Sequence, residues 1–253
     1  MKFEQLDRRM RVFETAHDHC VLPGIHMVAR IDGRSFSHLT RVAQAFDAPY
    51  DVRFRDHMVA TLVHVMGAGF SALYGYTQSD EMNVLLRRDE GAFGRKLRKL
   101  DSIFAGEASG KFSLLLGAPA AFDCRISQLP TEGDVVDYFR WRHEDAHRNA
   151  LNAHCYWLLR RQGRSDQEAT RELSGVSVAG RNELLFQNGI NFNDLPTWEK
   201  RGIGTYWEDV TTEGTNPHTG APQVSTRRRV VVDLELPMKD AYDAFVRRIV
   251  DRQ

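Results

Sequence analysis

Apolar residues in this chain recur at two rhythms, and the changes between them mark its elements. Residues 1–20 read as a mostly polar helix. Residues 26–31 form a short strand-like run that stops at Asp32-Gly33, a turn pair. Asp51 then caps a helix whose apolar positions Val52, Val59, Leu62, Val63 and Met66 recur at helical spacing, and Gly67 and Gly69 end it. Two strand-like runs follow at 70–76 and 81–86, joined by the polar turn Thr77-Gln78-Ser79. A second helix is predicted over 91–108, a strand over 122–126, and the longest helix over 134–162, between Gly133 and Gly163. A shorter helix over 165–173 precedes Arg181-Asn182-Glu183, which leads into the apolar run Leu184-Leu185-Phe186. Residues 205–229 are polar with Gly and Pro, which predicts a mobile loop or a long hairpin arm. Residues 230–236 alternate like a strand, and 239–250 form an amphipathic helix. The β-α-β-β order predicts an α+β fold with a ferredoxin-like, split βαβ sheet. No repeat or clear linker divides the 253 residues.

Composition narrows the setting. Lys plus Arg and Asp plus Glu number 34 each, so net charge argues neither for nor against a nucleic-acid partner. No run of eighteen apolar residues exists, which excludes a transmembrane helix, and the charged N-terminus lacks the apolar stretch of a signal peptide. Cys20, Cys124 and Cys155 are odd in number and widely spaced, as expected of reduced thiols in a cytoplasmic protein.

Chemistry enters with two carboxylates forty-eight residues apart, Asp32 in Arg30-Ile31-Asp32-Gly33-Arg34 and Asp80 in Gln78-Ser79-Asp80-Glu81. Both lie at the ends of strand-like runs, so one sheet edge can bring them together. Two such charges repel unless a hard cation sits between them, and one or two carboxylates are what Mg²⁺ takes for phosphate chemistry. The plainer reading is a turn at Asp32-Gly33 and a solvated hairpin edge at Asp80-Glu81. Arg95, Lys96, Arg98 and Lys99 make the predicted second helix basic, with 95, 98 and 99 on one face. That face is either simply solvated or a clamp for polyphosphate or an RNA backbone. His143-Glu144-Asp145-Ala146-His147 matches the HExxH zinc pattern, with Glu168 or Glu172 as a third ligand. Its flanks Arg142, Asp145 and Arg148 are charged, which fits a charged turn with two incidental histidines better.

Five segments in order carry a family resemblance: Arg30-Ile31-Asp32-Gly33-Arg34-Ser35-Phe36, Tyr76-Thr77-Gln78-Ser79-Asp80-Glu81, Phe122-Asp123-Cys124-Arg125, Tyr138-Phe139-Arg140-Trp141-Arg142 and Asn182-Glu183-Leu184-Leu185-Phe186. Through them the chain resembles the tRNA(His) guanylyltransferase family over nearly its whole length, and more closely the bacterial and archaeal guanylyltransferase-like branch. The resemblance implies a polymerase-palm sheet flanked by helices with a protruding C-terminal hairpin or loop arm. It implies one domain, with a palm core over 1–133 and a helical and hairpin portion over 134–253. The implied activity is Mg²⁺-dependent, template-directed 3′–5′ addition of nucleotides to the 5′ end of tRNA, a repair reaction, with addition of the extra G of tRNA(His) as a related outcome.

The implied site follows from the same match. Asp32, the Gly33 carbonyl and Asp80 hold two Mg²⁺ ions, with Glu81 supporting them from behind. Asp32, Gly33, Arg34, Ser35, Phe36, Ser37, Ser79 and Asp80 contact the nucleotide, GTP or ATP, and Lys96 and Lys99 lie beside its triphosphate. Arg125, His147, Asn149 and Arg181 are assigned to tRNA, and a homotetramer built as a dimer of dimers is implied. Two departures stand out. Eukaryotic members carry His-Ile-Asn-Asn where this chain has His147-Arg148-Asn149-Ala150, and a lysine where it has Ala48, before Pro49. The family associates both with ATP-dependent activation of a 5′-monophosphate, so their loss points to the templated branch. Two alternatives use the same residues: a palm-fold nucleotidyl cyclase, for which no GGDEF-like hairpin is present, and a non-catalytic RNA-binding relative, against which the intact Asp32 and Asp80 argue.

Overall fold

Six antiparallel strands form one sheet, in the order β4-β1-β3-β2-β5-β6, in a computed structural model that describes residues 1–40, 46–215 and 222–252. The strands are β1 (His26–Gly33), β2 (Ala72–Gln78), β3 (Glu81–Leu86), β4 (Phe122–Leu129), β5 (Ile203–Thr215) and β6 (Pro222–Asp233). Helix α1 (Phe3–Thr15) precedes the sheet, and a helical turn α2 (Phe36–His38) follows β1. The unit β1-α3-β2-β3-α4-β4, with α3 at Val52–Met66 and α4 at Leu97–Leu116, is the expected split βαβ arrangement. Asp51 caps α3 by accepting the Arg53 N–H at 2.7 Å, and Gly67 closes the helix.

Alternation along the strands decides which helix covers which face. Met27, Ala29 and Ile31 of β1 and Met82, Val84 and Leu86 of β3 point into a core with α3 and α4. Val28 and Leu85 point the other way, toward α5 (Glu132–Arg161) and α9 (Asp240–Val250). Because β3 is central and covered on both faces, all six of its residues are buried. Helix α5 outruns the sheet. Its second half builds a third core, including Leu151, Leu159, Leu173 and Leu185, with α6 (Asp166–Leu173) and α7 (Val178–Gln187), and α8 (Thr197–Arg201) packs against α5.

Three expectations are corrected. The helix expected over 91–108 is broken: Ala92–Arg95 is a 3-10 turn in which Phe93, Gly94 and Arg95 all have positive φ, Lys96 is extended, and α4 starts at Leu97. Arg95 turns inward and donates to the carbonyls of Val21, Ile25, Arg88 and Glu90. No common basic face of 95, 98 and 99 exists, because satisfying four buried carbonyls outweighs helical continuation. The turn between β2 and β3 is Ser79-Asp80, since Thr77 and Gln78 still pair with β3. Of the two alternatives expected for the polar stretch 205–229 the hairpin arm is formed, its strands paired from Gly204↔Asp233 to Thr215↔Pro222, and residues 216–221 lie outside the described residues. Strand β6 stops at Asp233, whose carboxylate accepts the Glu235 N–H at 2.8 Å. Among the described residues, no helix is long and apolar enough to cross a membrane.

Candidate active site

Strand register carries the two carboxylates to one end of the sheet. Asp32 lies opposite Glu81 on β3 and opposite Asp123 on β4. The Gly33 N–H donates to the Asp80 carbonyl at 3.0 Å, which pins the Ser79-Asp80 turn to the end of β1. Ser79 adopts φ 53° to make that turn, and its hydroxyl donates to the Asp80 carboxylate at 3.2 Å. After Gly33 the chain reverses through Ser35, at φ 60°, and lays the Phe36 ring back over Gly33. A Cβ at Gly33 would sit 2.5 Å from that ring, which is itself packed on Phe122 and Phe112.

The three acids differ in how their charge is met. Glu81 is buried and fully engaged: Arg142 donates to it twice, at 2.7 and 2.6 Å, Asn83 at 2.7 Å, and Arg30 pairs with it at 2.8 Å. Tyr138 donates to Asn83 behind it. Both Glu81 oxygens are thereby already used. Asp32 pairs with Arg30 at 3.1 Å and with Arg125 of β4 at 2.5 Å. Among the described residues Asp80 has no cation partner, and its carboxyl is pushed up by burial, with the nearby charges of Asp32 and Glu81 adding to the effect.

A cavity of about 230 Å³ opens beside Asp80. Its walls include Phe36, Ser37, Ser79, Tyr50 and Trp198, and Arg55 lies 4.9 Å over the Trp198 ring. Tyr50 meets Trp198 edge-on at 5.7 Å. These aromatics and Arg55 escaped sequence reasoning: they come singly from segments far apart, without a motif.

The donors suit a hard cation. Asp32, Asp80 and a backbone carbonyl are all oxygen ligands, and among the described residues no three His, Cys, Asp or Glu side chains converge on one point. Mg²⁺ asks for no more, because it usually keeps waters and takes the rest of its ligands from substrate phosphates. The HExxH stretch has a different fate. His143 stacks on Tyr242 with ring centroids 4.2 Å apart, and His147 meets Phe192 edge-on at 5.3 Å. Glu168 is bound to Ser165 and Glu172 to Arg164.

Other predicted residues scatter. Ser35 and Ser37 flank Phe36 near the cavity, and Arg34 donates its N–H to Ala121. Lys96 pairs with Asp18 at 2.8 Å, and with Lys99 it sits at the start of α4. The carboxylate end of β1 lies by the C-terminal half of that helix, where Ser109 accepts the Phe122 N–H opposite Gly33, so ten or more helical residues, about 15 Å, separate the lysines from that level of the sheet. On α5, Asn149 donates to Asp145, which also takes Arg142, one turn from the Glu81 network. His147 faces away, toward Phe192, and Arg181 donates to the Leu173 carbonyl.

An antiparallel split sheet ending in paired carboxylates beside an aromatic cavity is the palm arrangement of a nucleotidyltransferase. The chain belongs to the tRNA(His) guanylyltransferase family: the family model "tRNAHis guanylyltransferase" matches residues 7–130, and "Thg1 C terminal domain" matches 133–239. A probable tRNA(His) guanylyltransferase of Drosophila melanogaster is 34% identical over 195 residues, 73% of this chain and 68% of its own length. One from Dictyostelium discoideum is 30% identical over 224 residues, covering 84% and 86%. The solved structure of a bacterial tRNA(His) guanylyltransferase (Thg1)-like protein in complex with ATP superposes with a TM-score of 0.74 at 25% identity, covering 97% of this chain and 99% of that one. A complex of such a bacterial protein with GTP gives 0.73 with the same coverage.

Proposed function

We propose that this chain adds nucleotides to the 5′ end of tRNA in the 3′–5′ direction, templated by the opposite strand and dependent on Mg²⁺. The observation that carries this reading is the 3.0 Å bond from Gly33 to Asp80, which holds two distant acidic residues at one sheet end beside an aromatic-lined cavity. Relatives named for tRNA(His) guanylylation and bacterial neighbours solved with ATP and GTP support it. On this reading Asp32, the Gly33 carbonyl and Asp80 hold two Mg²⁺ ions, whose chemistry is activation of a hydroxyl and neutralisation of pyrophosphate. The 3′-hydroxyl oxygen of the incoming nucleotide bonds to the α-phosphorus of the RNA 5′-triphosphate. The bond to pyrophosphate breaks, and the hydroxyl proton passes to solvent.

The chain's own groups orient these partners. Arg34, Ser35, Phe36, Ser37 and Ser79 border the incoming nucleotide, while Arg125, His147, Asn149 and Arg181 serve the tRNA. Lys96 and Lys99, at the start of α4, lie beside the triphosphate on this reading, and the chain assembles as a homotetramer. Ala48 lines the cavity without an amino group, and with His147-Arg148-Asn149-Ala150 this favours RNA already carrying a triphosphate. The reaction belongs in the cytoplasm, with tRNA and nucleotides.

A tRNA lacking its first nucleotide and bearing a 5′-triphosphate, incubated with NTPs and Mg²⁺, tests this. Extension by the base complementary to the template is expected, at least a thousandfold weaker with Asp32→Ala or Asp80→Ala. No extension by the natural chain, or undiminished extension by either variant, overturns the reading.

A further inference from the structure

Helix α5 buries Tyr138 and Phe139, yet leaves Trp141 between them and the catalytic end of the sheet 54% exposed. The indole is nonetheless held. The Arg142 guanidinium lies 4.6 Å from its ring centre and Tyr138 meets it edge-on at 5.9 Å. Arg142 is itself fixed by two bonds to Glu81, which shares Arg30 with Asp32. An unbroken chain of contacts thus ties an exposed aromatic ring to the Asp32 carboxylate. The opposite flank of α5 is taken, since Arg140 pairs with Asp243 and His143 stacks on Tyr242, both of α9. Trp141 therefore stands on the flank toward β4, where Arg125 projects from the same sheet face as Asp32.

A rigid exposed indole beside guanidinium groups is how proteins hold an unpaired base next to its phosphates. The cavity beside Asp80, on the side of Tyr50 and Trp198, already provides a place for the incoming nucleotide. We infer that Trp141 is a positioning residue that stacks the terminal base at the RNA 5′ end, on the β4 side of Asp32. Arg142 backs one face of the ring and the base covers the other. This rests on the proposed RNA 5′-end reaction, and it adds which residue seats the RNA.

The test uses the full chain and an acceptor-stem RNA with a 5′-triphosphate and 2-aminopurine as its 5′-terminal base. With the natural chain, binding should quench the 2-aminopurine fluorescence. Trp141→Ala should lose the quench and weaken RNA binding about ten- to hundredfold, with a matching rise in the KM for RNA and an unchanged KM for NTP. Trp141→Phe should restore most of both, which a merely structural role would not predict, and both variants should melt at the natural temperature. Quenching and an RNA KM in Trp141→Ala equal to those of the natural chain overturn the inference while leaving the proposed reaction standing. Failure of the natural chain to bind the RNA overturns both.

Discussion

Glu81 is enclosed by Arg142, Arg30 and Asn83, and a buried carboxylate in that position stabilises only while its cations remain paired. Removing it leaves the buried Arg142 guanidinium with only Asp145 beside it and Arg30 with only Asp32. Glu81→Ala should therefore lower stability by about 3–5 kcal/mol, and Glu81→Gln by less, because the amide still accepts a hydrogen bond. Urea unfolding of the two variants against the natural chain measures this, and equal midpoints for all three would contradict it. Asp80 is the reverse case. Burial and its acidic neighbours already disfavour its charge, so Asp80→Asn should raise the melting temperature in the absence of Mg²⁺ while removing nucleotide addition. A lowered melting temperature would show that its carboxylate does stabilising work that the geometry does not reveal.

Elements meet at two places where one side chain decides the fit. At the end of β1, the Phe36 ring closes over Gly33 and locks the reversal that follows Asp32. Gly33→Ala must push that ring away from Phe122 and Phe112, so addition should fall at least tenfold, with stability lower by about 1–3 kcal/mol. Calorimetry alongside the extension assay checks both, and an unchanged variant would mean that the turn adapts freely. Between α5 and α9, burial and then the Arg201 charge push the His143 imidazole down to about 4, with a backbone hydrogen bond at Pro237 working the other way. A free histidine titrates near 6.5, so between those values the unfolded chain takes up a proton that the folded chain refuses. Stability is fully present above about pH 6.5 and falls as pH drops toward 4, by about 3 kcal/mol. His143→Phe should flatten that window in urea titrations at several pH values. A slope identical to the natural chain's would assign it to other groups.

Across the whole molecule, the two family matches meet at the start of α5, yet the helix joins rather than separates them. Its first half packs Val135, Val136 and Phe139 under the sheet, and its second half carries Leu151 and Leu159 into the core of α6 and α7. Strand β5 then returns to pair with β2. Neither portion can bury its apolar face alone, which predicts a single cooperative thermal transition and no folded fragment over 1–130. Two well-separated calorimetric transitions would count against this.

Much of this was legible in the sequence, for local reasons. The Asp51 cap, the helical spacing after it, the alternation in β1 and the apolar run of β3 depend on neighbours a few residues away, and they placed Asp32 and Asp80 at strand ends. The five ordered segments supplied the family. What the sequence could not decide needed contacts across the fold. Only the buried carbonyls of Val21, Ile25, Arg88 and Glu90 turn Arg95 inward and break the expected basic helix. Only the direction of α4 across the sheet carries Lys96 and Lys99 away from the carboxylates. Tyr50, Arg55 and Trp198 meet only when α8 closes on the loop before α3. Periodicity reports which face of an element is buried, so the sequence by itself determined most of the elements and the acidic pair. Which charges face each other is set by strand register and helix direction, and that the tertiary structure alone decided.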